Sequence, residues 1–498
     1  MLRIDYNATT NRCDGLSRRA FIQASALGLG GLSLGNVMAS PGGESYIKDK
    51  SVVFLFLGGG PSQHETWDPK PEGTGSSTSI AGHIPTAIPG VRFASYFPKM
   101  ASLADRLTIV RSFHTEHAEH DGAYKQLITA DTSIQDGKPP KHPGMGAVYS
   151  RVAGASHPRT GIPGQILIPP TLDHLAERAG FAGSFEAVME GSQPAYLGAA
   201  YTPFEMKVPM AEGVAKNSKK RKKSDDEITN PILADLQPNV AAARLDGRLN
   251  LLTQLDQLDR HFDSGGMLQA VDAQTARALE VLRGGEMRTA LDLSREDPRV
   301  LAAYDTEHFR NYRCNDDSKF ERSGPSIGIS LGRQMLMARR LCEAGCGFVT
   351  VIHSNWDFHA RKGIPNMPEG MSVLAPPLDH AVAAFLEDIR QRGLEDKILL
   401  VISGEFGRTP SLDAKLGRHH WPRLSPLVFA GGGLRHGQVV GASDRRGGEP
   451  ADNAYGIDDL HATLMHAQFD VGKMRLDNRL PRIVMERATR GRVIEELF

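Results

Sequence analysis

Apolar residues along this chain fall into short continuous runs separated by long polar, glycine-punctuated stretches. Residues 51–57 read SVVFLFL and stop at Gly58-Gly59-Gly60-Pro61. A run apolar on both faces and rich in β-branched and aromatic residues predicts a strand buried on both sides that feeds a loop. Residues 107–111 (LTIVR), 347–353 (GFVTVIH), 397–403 (KILLVIS) and 426–430 (PLVFA) repeat the pattern. Between them, helices are predicted over 331–344, capped by Gly345, and over 377–392, followed by Gly393. Alternating strand, loop and helix predict an α/β fold with a doubly wound, mostly parallel sheet and helices on both faces.

The middle of the chain departs from this pattern. Leu245, Leu249, Leu252, Leu255, Leu258 and Phe262 recur at helical spacing, and 267–283 continues it. A helical insert near 240–300 is therefore expected, capping the sheet. Residues 216–223 (KNSKKRKK), followed by Asp225-Asp226-Glu227, carry no apolar periodicity and predict a solvated, mobile basic loop near 214–228.

The N-terminus has its own signature. Ser17-Arg18-Arg19-Ala20-Phe21-Ile22-Gln23 precedes a weakly apolar run over 24–38, and Val37-Met38-Ala39 places small residues for cleavage after Ala39. This predicts a twin-arginine signal peptide over 1–39 and an α/β domain over 40–498. The run is interrupted by Gly28, Gly30, Gly31 and Gly35, and it is shorter than the roughly 20 residues that a membrane helix needs. The expected protein is exported through the twin-arginine machinery to the periplasm or cell surface, with no stable membrane span in the mature chain. That route carries proteins already folded, often around a cofactor.

Composition narrows the function. Lys+Arg and Asp+Glu both number 58, so no net charge draws the chain to nucleic acid or anionic lipid. Aromatics are 6%, which argues against a carbohydrate module built on stacked rings. Of the four cysteines, Cys13 lies in the signal, leaving Cys314, Cys342 and Cys346. An odd set without a second pair argues against a thiolate zinc site. Cys342 and Cys346 are expected as two buried thiols, with a disulfide as the alternative.

Candidate chemistry collects at the predicted strand ends, where α/β sheets bind ligands. Ser62 to Asp68 follow the first strand, and His114, Glu116, His117, Glu119, His120 and Asp121 the second. Asn355, Asp357 and His359 follow the third and Glu405 and Arg408 the fourth, while Arg418, His419 and His420 precede the last. Imidazole and carboxylate without thiolate suit zinc, manganese or iron. Asp357 and His359 share a face if their segment is extended.

Several motifs resemble one family: GGGPSQHETWDPKP at 58–71, ARRLCEAG at 338–345, NWDFH at 355–359, SGEFGRTP at 403–410 and GRHHWP at 417–422. It is the exported, largely uncharacterised DUF1501 family, whose members look like distant relatives of the alkaline phosphatase and sulfatase superfamily. The resemblance implies a fold of that type and a metal-dependent hydrolase acting on a small anionic phosphate or sulfate ester. It implies one divalent metal ion on Asp357, His359 and His420. A second ion would use Glu405, but Gly59 stands where an aspartate is usual and Phe406 where a histidine is usual. Glu65, Asp68 or a histidine would have to substitute. His120 occupies the place matched to the nucleophile, so His120 or His117 is implied as phosphoryl acceptor or base. Arg408 is implied as the anion-binding group, or as the salt-bridge partner of a neighbouring carboxylate. The alternative is a non-catalytic ligand- or protein-binding member that has lost part of the metal site.

Overall fold

Strand β1 (Ser51–Phe56) is wholly buried beyond its first residue. Alternate side chains leave a strand on opposite faces. Val53 and Leu55 enter one apolar core, while Val52, Phe54 and Phe56 enter another. This two-sided burial is what the unbroken apolar run encodes.

The computed structural model describes residues 46–170, 183–206, 285–311, 319–361 and 364–498. The signal peptide, the basic loop near 214–228, most of the helical insert and Cys314 lie outside the described residues. No helix among those described is long and apolar enough to cross a membrane.

Seven further strands join β1: β2 (Thr108–Val110), β3 (Gln165–Ile168), β4 (Phe204–Glu205), β5 (Phe348–Ile352), β6 (Ile398–Ser403), β7 (Leu427–Gly431) and β8 (Gln438–Val440). Their order across the sheet is β8-β2-β7-β6-β1-β5-β3-β4. Leu55 of β1 pairs with Val351 of β5 on one side and Ile402 of β6 on the other, both in parallel. Every pairing in the sheet is parallel except the two made by β7. Leu427 at the start of β7 pairs with Ser403 at the end of β6. The residues before β7 therefore lie at the same sheet edge as the residues after its neighbours.

Helices cover both faces. Helix α1 (His120–Thr129) and α4 (Ile457–Gln468) bring Tyr124, Leu127, Leu460 and Leu464 to the core that holds Phe54. Helix α2 (Lys319–Glu343) and α3 (Met367–Gln391) bring Leu336, Leu341, Leu378 and Phe385 to the core that holds Val53. The doubly wound, mostly parallel architecture expected from the sequence is present. Cys342 and Cys346 are buried free thiols and form no disulfide.

Helix α3 starts ten residues before its predicted position. Proline favours the first turn of a helix, yet this helix does not open at Pro377. The start is instead set by a capping box in which the Asn366 side chain accepts from Glu369 N–H at 3.0 Å and Asn366 N–H donates to the Glu369 carboxylate at 3.3 Å. Pro376 and Pro377 lie inside the helix. Pro377 packs against Gly328 of α2, where an added Cβ would lie 3.0 Å from the proline ring.

Since Phe54 is wholly buried on the central strand, Phe54→Ala should lower unfolding free energy by about 3–5 kcal/mol. Urea denaturation followed by circular dichroism measures this. A loss below 1 kcal/mol would contradict the placement of β1 between two cores.

Candidate metal centre

Four connections meet at one sheet edge: those after β1, β2 and β5, and the one that joins β6 to β7. Their approach is close enough to dictate residue type. Gly59 has φ +114°, and a Cβ there would stand 2.6 Å from Trp356 N and 2.8 Å from Asp357 N. Gly60 has φ +78°, and its Cβ would fall 2.5 Å from the Phe406 ring. Any side chain at 59 would therefore collide with the segment that carries Asp357, which explains why no aspartate stands there. Gly59 N–H donates to both Glu405 oxygens at 3.0 and 3.2 Å, and Gly59 C=O accepts from Arg408.

Asp357 is the hub. Its Oδ1 lies 2.6 Å from an Arg408 nitrogen and 3.4 Å from His420 Nε2. Its Oδ2 lies 3.0 Å from His359 Nε2 and 3.5 Å from His120 Nε2. Burial opposes ionisation of this carboxyl. The Arg408 charge and the hydrogen bonds from His120, His359 and His420 outweigh it and hold Asp357 far below the usual carboxylate range.

The outer nitrogens of two imidazoles are fixed by acceptors. His420 Nδ1 lies 2.8 Å from the Ala118 carbonyl. A carbonyl only accepts, so Nδ1 carries the proton and Nε2 is left to face Asp357. His120 Nδ1 lies 2.8 Å from Glu405 Oε1, which directs its Nε2 to Asp357 in the same way. Burial alone would lower the pKa of His120, but hydrogen bonds to Asp357 and Glu405 push it up to about 9. Between two carboxylates, Nε2 of this ring takes either a second proton or a cation. Phe406 packs on both rings, with centroids 5.1 Å from His120 and 4.6 Å from His420.

The donor set fits a metal. One ligand atom from each of His120, Asp357 and His420 lies within 4.8 Å of the others, the one such group among the described residues. Ligands about 2.1 Å from one tetrahedral ion lie roughly 3.4 Å apart; His120 Nε2 lies 3.5 Å from Asp357 Oδ2 and His420 Nε2 3.4 Å from Asp357 Oδ1, so the carboxylate stands at ligand spacing from each ring through a different oxygen. Two imidazoles and a carboxylate accord with zinc, manganese or iron.

The expected residues divide accordingly. Asp357 and His420 belong to the group; His120 joins them, and His359 does not. His359 Nε2 bonds Asp357 itself, while its buried Nδ1 has no partner among the described residues. Glu405 is wholly buried behind His120. His117 points elsewhere: its Nδ1 accepts from Glu119 N–H at 3.2 Å and its Nε2 lies 3.8 Å from Asp136. Arg408 is wholly buried, and its nitrogens donate to the carbonyls of Gly60 (2.7 Å), Arg418 (3.1 Å) and Gly59 as well as to Asp357. It therefore holds Asp357 and the loops, and presents no open fork to an anion.

The substitutes named for a second ion are also engaged. Glu65 pairs with buried Arg418 at 3.1 Å and accepts from Ser79 at 2.6 Å. Asp68 pairs with Lys70 at 3.1 Å and Arg111 at 3.4 Å. Tyr124, which sequence reasoning did not single out, lies one helical turn beyond His120, with ring centroids 5.6 Å apart. Burial, with Glu405 and Asp357 nearby, raises its phenol well above the ordinary value. Its four-residue spacing from His120 on a helix was the available signal.

Because Gly59 lies against the backbone of Trp356 and Asp357, Gly59→Ala should cost about 1–3 kcal/mol or more and displace Asp357. Thermal melting together with a metal-uptake assay tests this. A variant equal to the parent in both would contradict the close approach.

Solved structures resembling the chain include a sulfatase from Pseudoalteromonas sp., at 12% identity and TM-score 0.37, covering 91% of this chain and 72% of that one. A lipoteichoic acid synthase from Listeria monocytogenes is 9% identical, with TM-score 0.38 and coverage of 88% and 78%. A phosphonate monoester hydrolase from Silicibacter pomeroyi is 13% identical, with TM-score 0.32 and coverage of 90% and 76%. No curated protein matches the sequence. Residues 49–498 match the family described as "Protein of unknown function (DUF1501)", spanning the whole sheet and all four connections of the candidate site; the chain belongs to the DUF1501 family.

Proposed function

We propose that this chain is an exported hydrolase of phosphate or sulfate esters that works with one divalent cation held by His120, Asp357 and His420. The observation that carries this reading is the convergence of those three ligand atoms at the edge where the parallel strands end. His120, Asp357 and His420 would hold a divalent cation there, which when bound would supply the charge that an anionic ester needs, polarising an ester oxygen and acidifying a water molecule.

The chain's own residues prepare the site. The Ala118 carbonyl and Glu405 keep a proton on Nδ1 of His420 and His120, so both Nε2 atoms face Asp357. Arg408 bonds one oxygen of the Asp357 carboxylate and His359 the other. Arg408 is committed to carbonyls and Asp357, so it offers no free donor pair to an anionic ester. With Nε2 of His120 directed to the cation position, attack on the ester falls to water rather than to this side chain. The twin-arginine motif at 17–23 supports export after folding, which suits a protein that loads its ion in the cytoplasm.

A second reading, a binding protein without catalysis, draws on Phe406 standing where a ligand is expected and on Glu65 and Asp68 being held in ion pairs.

Metal analysis of the mature chain after incubation with zinc, manganese or iron(II) separates the two. One ion per chain is expected, lost in His120→Ala and in His420→Ala but kept at equal stoichiometry in His359→Ala. The loaded protein should hydrolyse aryl phosphates or sulfates and stop on chelation. Absence of bound metal, with melting unchanged by chelator, would sink the hydrolase reading and leave the binding one.

A further inference from the structure

We propose that Glu405 and Tyr124 are positioning residues for His120, acting through its imidazole, and that Glu405 is not a ligand to a second ion. This rests on the reading of His120, Asp357 and His420 as a cation site.

The oxygens of Glu405 face protein donors. Oε1 receives His120 Nδ1–H at 2.8 Å and Gly59 N–H at 3.0 Å, and Oε2 lies 3.2 Å from the same amide. Glu405 is wholly buried, and it lies on the far side of the His120 ring from Asp357, since the two carboxylates meet opposite ring nitrogens. It cannot reach the ion that His120 Nε2 would hold without displacing that ring.

The ring itself is clamped. Tyr124 stacks against it at 5.6 Å with 23° between planes, and Phe406 covers it at 5.1 Å. Tyr124 in turn meets Phe56, at the end of β1, edge-on at 5.5 Å. Packing fixes the plane of the imidazole, and the bond to Glu405 fixes which nitrogen points at Asp357. A carboxylate behind a metal-binding histidine also raises the donor strength of the inward nitrogen.

The same contacts join the two limbs of the site. Gly59 gives its N–H to Glu405 and its carbonyl to Arg408, and Arg408 pairs with Asp357. The hydrogen bonds thus run from His120 through Glu405, Gly59 and Arg408 to Asp357 and close on His120. Movement at Glu405 is felt at both ligands.

Cobalt(II) titration of the mature chain, followed by visible absorption, tests the proposal in wild type, Glu405→Gln and Tyr124→Leu. Wild type should bind one cobalt ion. Glu405→Gln should bind one ion with the same bands and about 10–100-fold weaker affinity. Tyr124→Leu, which removes the ring stacked on His120, should weaken binding several-fold. Affinities equal to wild type in both variants would overturn the positioning role while leaving the cation site intact. Changed bands in Glu405→Gln, showing a lost oxygen donor, would make Glu405 a ligand and overturn the proposal. A wild type that takes up no cobalt would overturn the cation reading and this proposal with it. Should Glu405→Gln fail to fold, Tyr124→Leu and the histidine 15N spectrum of the zinc-loaded wild type decide: a proton on Nδ1 of His120 supports the proposal, and a proton on Nε2 of that ring contradicts it.

Discussion

A mostly buried carboxylate must be compensated or it does not remain ionised, and Asp357 is the point on which this molecule meets that constraint. One oxygen faces the Arg408 guanidinium at 2.6 Å and the other faces His359 at 3.0 Å. Arg408 is itself buried, and the loops that bring Gly59, Gly60 and Arg418 carbonyls to it are held in place by doing so. The ion pair is therefore both an electrostatic requirement and the clasp that gathers the strand-end loops. His120 and His420 complete the ring of charge around the carboxylate.

The sheet makes this convergence possible. Parallel strands deliver their following loops to one edge, but the GRHHWP segment precedes its strand in the sequence. Because β7 runs antiparallel, with Leu427 beside Ser403, its leading segment arrives at that same edge. Reversal of one strand thus places His420 opposite His120. The cost of crowding four connections together appears at Gly59 and Gly60, whose positive φ angles and contacts leave no room for a side chain.

Much of the frame was legible because it rests on local patterns. The apolar run at 51–57 encodes a strand buried on both faces, and the same logic holds for β2, β5, β6 and β7. The start of α3 lies ten residues before the predicted Pro377, and the signal for it was the capping box Asn366–Glu369. At the site, Asp357 and His420 were legible from motif and strand end. His359 was implied as a ligand by the resemblance; its Nε2 lies 3.0 Å from Asp357 Oδ2, and it stands outside the group formed by His120, Asp357 and His420. Spacing along the chain cannot tell a histidine that bonds a carboxylate from one placed to hold a cation. Nor can it reveal that a guanidinium is already enclosed by carbonyls, which is why Arg408 was legible as an arginine beside the site but not as a structural clasp. His120 was noticed for its position at a helix start, and its partner Glu405 came from a different loop 285 residues away.

The central claim is that one cation sits among His120, Asp357 and His420, with Glu405 and His359 in supporting positions. Anomalous diffraction from crystals of the mature chain grown with zinc tests it most directly. The account predicts one peak, within bonding distance of Nε2 of His120, Nε2 of His420 and a carboxylate oxygen of Asp357, and beyond bonding distance of Glu405 and His359. A peak bonded to Glu405, or no peak at this edge of the sheet, would contradict it.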